Sequence, residues 1–306
     1  MSVKNLTAVG NEGRQERYAY GALCMCVAMF GGSAIDAAAK ALTAEYSVAQ
    51  IVLVRGLVAV PLILLWTQRT VGLRALAQAG WGWQTWRSAL MAGASFGFFY
   101  GLVHVPLVTA LMIAYVSPVL IVLLAQPLLG EAITLRRLLG VFTGFVGVLV
   151  IVLMGSQTTT AAASGTPLIL HPAVWAIVGS ALCWALLSIS NRHLGQRVAT
   201  PVMTFYTYPL SIVLALAVGY DSWVTPAGWD WALFVVAGAG SLVAHAFAVM
   251  AYGSAPAGFI APFEYTALIW ASLAGYVFWS EVPGWEVWLG GSAVIIGGYI
   301  ALQSRN

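Results

Sequence analysis

Apolar residues run in blocks of about 20 along almost the whole chain, parted by short clusters of Gly, Pro and charged residues. An α-helix needs about that length to cross the hydrocarbon of a bilayer. Ten blocks are present, near residues 19–42, 47–67, 83–103, 108–128, 135–154, 172–191, 201–219, 229–252, 258–279 and 285–302. They are too long and too continuously apolar for the alternating strands of about ten residues that build membrane barrels. The connections 104–107 and 253–257 are very short, which makes the helices they join antiparallel neighbours. The longest connection, 155–171, is rich in Thr, Ala, Ser and Gly and reads as a linker between two halves. Pro118, Pro209 and Pro262 lie within or near the ends of the fourth, seventh and ninth blocks. Each removes a backbone donor and predicts a kink or break, which either serves as a hinge or only shapes a cavity.

The two halves repeat. Tyr115 and Tyr265, Glu131 and Glu281, Gly140 and Gly290, Gly147 and Gly297, and Pro106 and Pro256 are all separated by the same 150 positions. Matches at one offset mark a doubled unit rather than shared apolar composition. The expected organisation is an N-terminal tail at 1–18, a five-helix repeat at 19–154, a linker at 155–171, a second repeat at 172–302 and a C-terminal tail at 303–306.

Composition agrees. Hydrophobic residues make up 61% of the chain and charged residues 8%, against roughly 25% charged in a soluble domain. The fold class expected is therefore an all-α integral membrane protein of ten transmembrane helices. Cys24, Cys26 and Cys183 lie in apolar runs and suggest no disulfide framework, metal site or redox motif. The first 17 residues are polar and lack an apolar cleavable core, so the first helix is expected to remain in the mature protein.

Charge sets the orientation. With ten spans both termini share a side. Lys4, Arg14, Arg17, Arg69, Arg74, Arg87, Arg136, Arg137, Arg192, Arg197 and Arg305 all fall there, 11 of the 13 basic residues. That side is expected to be the cytoplasm, with the protein in the cytoplasmic (inner) membrane. Five spans per half is an odd number, so the two copies insert in opposite directions, Glu131 at the cytoplasmic face and Glu281 at the far face. Inverted repeats of this kind are frequent in secondary transporters, with the substrate site near the midplane. The basic residues form no stripe, so nucleic acid is not an expected partner.

The run from Tyr115-Val116-Ser117-Pro118 through Leu129-Gly130-Glu131 to Gly144-Phe145-Val146-Gly147 resembles the signature of the drug/metabolite transporter superfamily, EamA type. Its echo runs from Ala261-Pro262-Phe263-Glu264-Tyr265-Thr266 to Trp279-Ser280-Glu281-Val282-Pro283. The likeness covers about residues 18–302. It implies two five-helix repeats, a central cavity lined by both, and alternating access. The second copy has Ala267-Leu268 for the Ser-Pro pair and Val287 for Arg137, so roles at those positions stay with the first half.

Within the signature, Glu131 and Glu281 sit in tight turns and are expected to cap the helix that follows. Gly140, Gly144 and Gly147, with Gly290, Gly291, Gly297 and Gly298, give the fifth and tenth helices a small-residue face for close packing, within the chain or in a homodimer. Ionisable residues inside a span cost roughly 2.5–3.5 kcal/mol each and by default mark function. Five are present: Asp36, Lys40, Arg55, His245 and Glu264. Asp36 and Lys40 stand four apart on one helical face and read as a pair, or as a cavity carboxylate and an outward cation. Arg55 requires Glu264, Asp36 or a substrate anion as partner. His245 reads either as a packed, hydrogen-bonded residue or as a proton carrier. Glu264 is the foremost candidate for coupling. Most tryptophans sit at span ends as interfacial anchors. Phe99, Tyr100, Tyr115 and Tyr265 lie deeper, and the two repeat-related tyrosines are placed to face one cavity and to contact a flat or cationic group.

The function expected is secondary active transport of small organic metabolites, with no cofactor and no metal. Carboxylates (Asp36, Glu264) beside cations (Lys40, Arg55) suit a zwitterion, an amino acid or a relative of one. Export follows from the resemblance, and proton coupling is compatible with the buried titratable groups. No phosphate-binding Gly loop points to ATP. The alternatives are a transporter of quaternary or lipophilic cations and a membrane-embedded enzyme. Against the enzyme, the spans hold no motif of metal-ligand spacing.

Overall fold

Backbone polar groups in hydrocarbon must be satisfied within the chain, and the answer here is helix throughout the described residues. The computed structural model describes residues 3–43, 45–104, 107–155, 171–219, 223–279 and 284–302. Most of the linker at 155–171, Glu281 and residues 303–306 lie outside this set, as does the side chain of Lys40.

The first half comprises α1 (Val3–Leu42), α2 (Val48–Thr70), the short α3 (Arg74–Ala77), α4 (Trp81–His104), α5 (Leu107–Ala114), α6 (Ser117–Leu129) and α7 (Leu135–Gly155). The second comprises α8 (Pro172–Leu194), α9 (Thr200–Phe205), α10 (Pro209–Gly219), α11 (Asp230–Ser254), α12 (Ala257–Ile260), a 3-10 segment (Ala261–Thr266), α13 (Ala267–Trp279) and α14 (Trp285–Leu302). Each expected block coincides with a helix or with a broken run of helices. Five stretches of described residues are long and apolar enough to span a membrane by length and composition: Gln15–Ala39, Val48–Thr70, Pro172–Leu194, Thr200–Gly219 and Asp230–Ser254. α1 is helical from Val3 onward and so takes in most of the polar residues of the tail at 1–18. Its polar residues include no proline to stop the helix propagating.

Local chemistry sets the boundaries. The Ser47 side chain accepts from the Gln50 N–H at the start of α2, and His171 Nδ1 accepts from the Ala173 N–H at the start of α8. Gly130, at φ 67°, ends α6 in the left-handed conformation. The fourth, seventh and ninth blocks are all interrupted, as Pro118, Pro209 and Pro262 predict. Neighbouring helices satisfy two of these breaks. Between α9 and α10, Arg87 Nη2 donates to the Met203 carbonyl at 3.3 Å. There, too, the Leu210 N–H donates to Ser88 Oγ at 3.0 Å. At the head of α13, Ser33 Oγ donates to the Ala267 carbonyl at 3.0 Å.

The packing is symmetric under exchange of the halves. α1 packs on α11 and α8 on α4; α6 packs on α8 and α13 on α1; α2 meets α10, and α7 meets α14. The glycine face works at this last interface. A Cβ on Gly147 would stand 2.5 Å from the Gly290 carbonyl oxygen, and one on Gly297 would stand 2.5 Å from that of Gly140. Each of these two contacts is the other's image under the repeat.

Glu131 departs from expectation. It does not cap α7. Its Oε2 accepts from the Ala257 N–H at 2.8 Å, at the start of α12 in the other half. Its Oε1 accepts from Arg192 Nε at 2.8 Å, at the end of α8. The turn at Gly130 aims the carboxylate across the repeat boundary, so the cap becomes a latch between halves.

Two outcomes are expected. Gly147→Val forces a branched side chain against the α14 backbone, and should cost about 1–3 kcal/mol as overpacking does, read as a lower unfolding midpoint in detergent. Glu131→Ala exposes the Ala257 amide, whose hydrogen exchange should quicken by about tenfold or more on loss of a charge-assisted bond; unchanged exchange there would refute the latch.

Candidate functional site

A cavity of about 210 Å³ opens where both halves meet, lined among others by Asp36, Arg55, Tyr115, Trp184, His245 and Glu264. The broken runs build much of it. Tyr115 sits at the junction of α5 and α6, and Glu264 sits in the 3-10 segment before α13. Unbroken α1, α2, α4, α8 and α11 supply the remaining walls.

Arg55 is 4% exposed. Its Nη2 donates to Ser95 Oγ at 3.2 Å, and its guanidinium carbon lies 5.8 Å from the Phe99 ring centroid, in cation–π range. Its Nε has no hydrogen-bond partner. Asp36, on α1, lines the same cavity and interacts with Arg55 through space. No ion pair forms between them among the described residues. The cation thus reaches the cavity without a carboxylate bonded to it.

Glu264 has other partners than Arg55. Tyr252 Oη donates to its Oε1 at 2.6 Å. The Trp184 indole N–H donates to both carboxylate oxygens, at 3.2 and 3.1 Å. Of the partners open to Arg55, Glu264 is not taken up, and α8 and α11 place neutral donors around that carboxylate instead. His245 shares a 3.0 Å hydrogen bond with Tyr208 Oη, and Tyr208 stands in the α9–α10 break. Tyr115 and Tyr265 meet directly, with ring centroids 6.0 Å apart. Tyr115 lines the cavity, whereas Tyr265 is fully buried behind it, against Gly144. Tyr100 points away: it is 46% exposed and packs on His104.

Sequence reasoning passed over Ser95, Trp184, Tyr208 and Tyr252 as site residues. Arg87 was counted only among the basic residues of the cytoplasmic side. It lies in the second turn of α4 and is fully buried. Its place inside the block at 83–103 was the signal for burial.

The cavity is sealed toward the end that carries Arg136, Arg137, Arg192 and Arg197. Beyond Trp184, the α8 residues Leu187, Ser188 and Ser190 are buried; beyond His245, so are Val249 and Tyr252 of α11. All of α12 is buried, and the Glu131 latch crosses the same level.

The comparisons accord with this architecture. A solved structure superposes over 94% of this chain and all of its own, with a TM-score of 0.76 at 22% identity, which establishes a shared fold. The pseudopaline exporter CntI of Pseudomonas aeruginosa is 28% identical over 92% of this chain and 95% of its own length. The riboflavin transporter of Brucella anthropi is 30% identical over 77% of this chain and 81% of its own. An S-adenosylmethionine uptake transporter of Rickettsia felis is 29% identical over 64% of this chain and 63% of its own. The EamA-like transporter family matches twice, over residues 19–153 and 171–303. With two matched repeats, apolar helices packed symmetrically and a charged cavity between them, the chain is a member of the EamA-like transporter family, a multi-pass membrane protein of the drug/metabolite type.

Proposed function

We propose that this transporter carries a carboxylate-bearing zwitterion, an amino acid or a metabolite built from one, outward across the cytoplasmic membrane by alternating access. Arg55 carries the reading. A buried guanidinium with an unpartnered Nε, beside a carboxylate that does not neutralise it, is arranged to take a carboxylate from a ligand. Asp36 then receives the ligand's cationic group, and Tyr115 and Trp184 flank it. Export is supported by the likeness to the pseudopaline exporter, which covers most of both chains. The basic loops support a cytoplasmic position for both termini. The units 19–154 and 172–302 then rock about the cavity, with the Glu131 latch made in the state closed to the cytoplasm.

Glu264 is the coupling residue in this scheme. Its carboxylate is bonded by Tyr252 and Trp184, which are neutral, and by no cation among the described residues. Protonation there breaks no ion pair, so a proton can be taken and released as the cavity changes sides.

Transient currents on a solid-supported membrane test both parts, using a panel of amino acids and quaternary ammonium compounds with and without a proton gradient. Amino-acid currents are expected. In Arg55→Gln their half-saturating concentration should rise about 10- to 100-fold, the value of a hydrogen bond to a charged group. Currents from the quaternary cations alone would replace this reading with the cation one. In Glu264→Gln the dependence on the proton gradient should vanish while radiolabelled counterflow persists; gradient-driven uptake that survives the substitution would remove Glu264 from coupling.

A further inference from the structure

Arg87 heads the large, fully buried side chains among the described residues, and no carboxylate there forms an ion pair with it. One of its nitrogens caps the Met203 carbonyl at the α9–α10 break. That task needs a single neutral donor, just as a neutral hydroxyl, Ser88 Oγ, suffices to accept from the Leu210 N–H on the other side of the same break. Arg87 Nε and Nη1 are buried without hydrogen-bond partners, and no carboxylate pairs with it among the described residues. A buried, unpaired guanidinium is costly and does not persist as a mere cap.

Its neighbours share the condition. Gln84, one turn before it on α4, is fully buried with Oε1 unpaired. The partner helix α8 contributes Ser190 and Asn191, 4% and 5% exposed, with Oγ and Oδ1 unpaired. The register of the two helices brings these groups together. Ser180 Oγ donates to the Ala94 carbonyl, Gly93 abuts Cys183, and Trp83 stacks near His193. The pairing runs in opposite directions along the two helices and sets Arg87 at the level of Ser190 and Asn191. Arg87 also shares a face of α4 with Met91 and Ser95, both of which line the cavity. It lies one turn, about 6 Å, beyond Met91 and about 12 Å from the Ser95 that holds Arg55. The polar layer therefore sits beneath the cavity floor, on the sealed, basic side.

We propose that Arg87, with Gln84, Ser190 and Asn191, forms a second station for an anionic group, the substrate carboxylate, used when the basic end is open. The carboxylate meets Arg87 first and passes along the α4 face to Arg55. Loading from the basic side thus begins at a cation that closure buries again. The inference rests on the carboxylate-bearing substrate proposed above, and its test requires no substrate.

The test uses the full chain with Cys24, Cys26 and Cys183 replaced by Ala and with Ser190→Cys as the only thiol. Membrane vesicles of both orientations are treated with 2-sulfonatoethyl methanethiosulfonate and, separately, with its trimethylammonium analogue. The expected result is labelling from one side of the membrane, about tenfold faster for the sulfonate, as for a unit charge beside the thiol. Arg87→Gln should bring the two rates level, and Arg87→Lys should retain the preference. Arg87→Lys keeps the charge without the planar fork, so it separates attraction of anions from loss of the cap. Equal rates with Arg87 in place, a preference unchanged by Arg87→Gln, or no labelling from either side would overturn the proposal. None of those results bears on the amino-acid currents, so failure of the station and failure of the zwitterion reading remain distinguishable.

Discussion

Interrupting a helix inside hydrocarbon strands backbone donors and acceptors where water cannot reach them, and each must be met by a neighbour or line a cavity. Much of this protein follows from that requirement at three places. The α9–α10 break draws Arg87 and Ser88 of α4 toward it. The head of α13 draws Ser33 of α1. The α5–α6 junction opens on the cavity itself, where Tyr115 lies. A tyrosine stands at every interruption: Tyr115, Tyr208 and Tyr265. One lines the cavity, one holds His245, and one supports the first from behind. The same breaks that cost backbone bonds deliver the polar side chains of the site to mid-membrane.

The second organising fact is the doubling of the chain. Helices that would be unrelated neighbours in a single-copy bundle are paired twice over, and the glycine contacts between α7 and α14 occur as image and object. The charges of the cavity are not doubled in this way. Arg55 and Glu264 have no repeat-related partners of the same type, since the position 150 after Arg55 is Phe205 and that before Glu264 is Ala114. Architecture is shared between halves, whereas chemistry is divided between them. A ligand that touches both Arg55 and Glu264 therefore contacts both halves at once.

Much of the fold was legible from residue order because span length, proline and glycine act locally. Pro118, Pro209 and Pro262 marked the interruptions, and the spacing of Gly140, Gly144 and Gly147 marked the tightest helix contact. Partnership was not legible. Whether Glu131 caps α7 or α12 depends on how the Gly130 turn aims it, which no local pattern encodes. Charge alone left Glu264 and Asp36 both open as partners of Arg55, whereas Trp184 and Tyr252 reach Glu264 from helices whose rotation the sequence leaves open. Tyr100 and Tyr265 showed the same limit: depth along a helix could be read, but not the side on which the ring emerges. The burial of Arg87 went unread for a different reason, because counting basic residues by side ignores how far into a helix the residue lies.

Where α7 meets α14 the contact is made by backbone, with no side chain standing between Gly147 and the Gly290 carbonyl or between Gly297 and that of Gly140. Sliding one helix along the other by a turn would bring Thr143 or Val150, the same-face neighbours of Gly147, into that narrow gap, so the pair resists displacement along its length. Tilting needs no such insertion, because a slender contact leaves the crossing angle free. The glycine crossing is thus a pivot, fixed in place along the helices and open in angle.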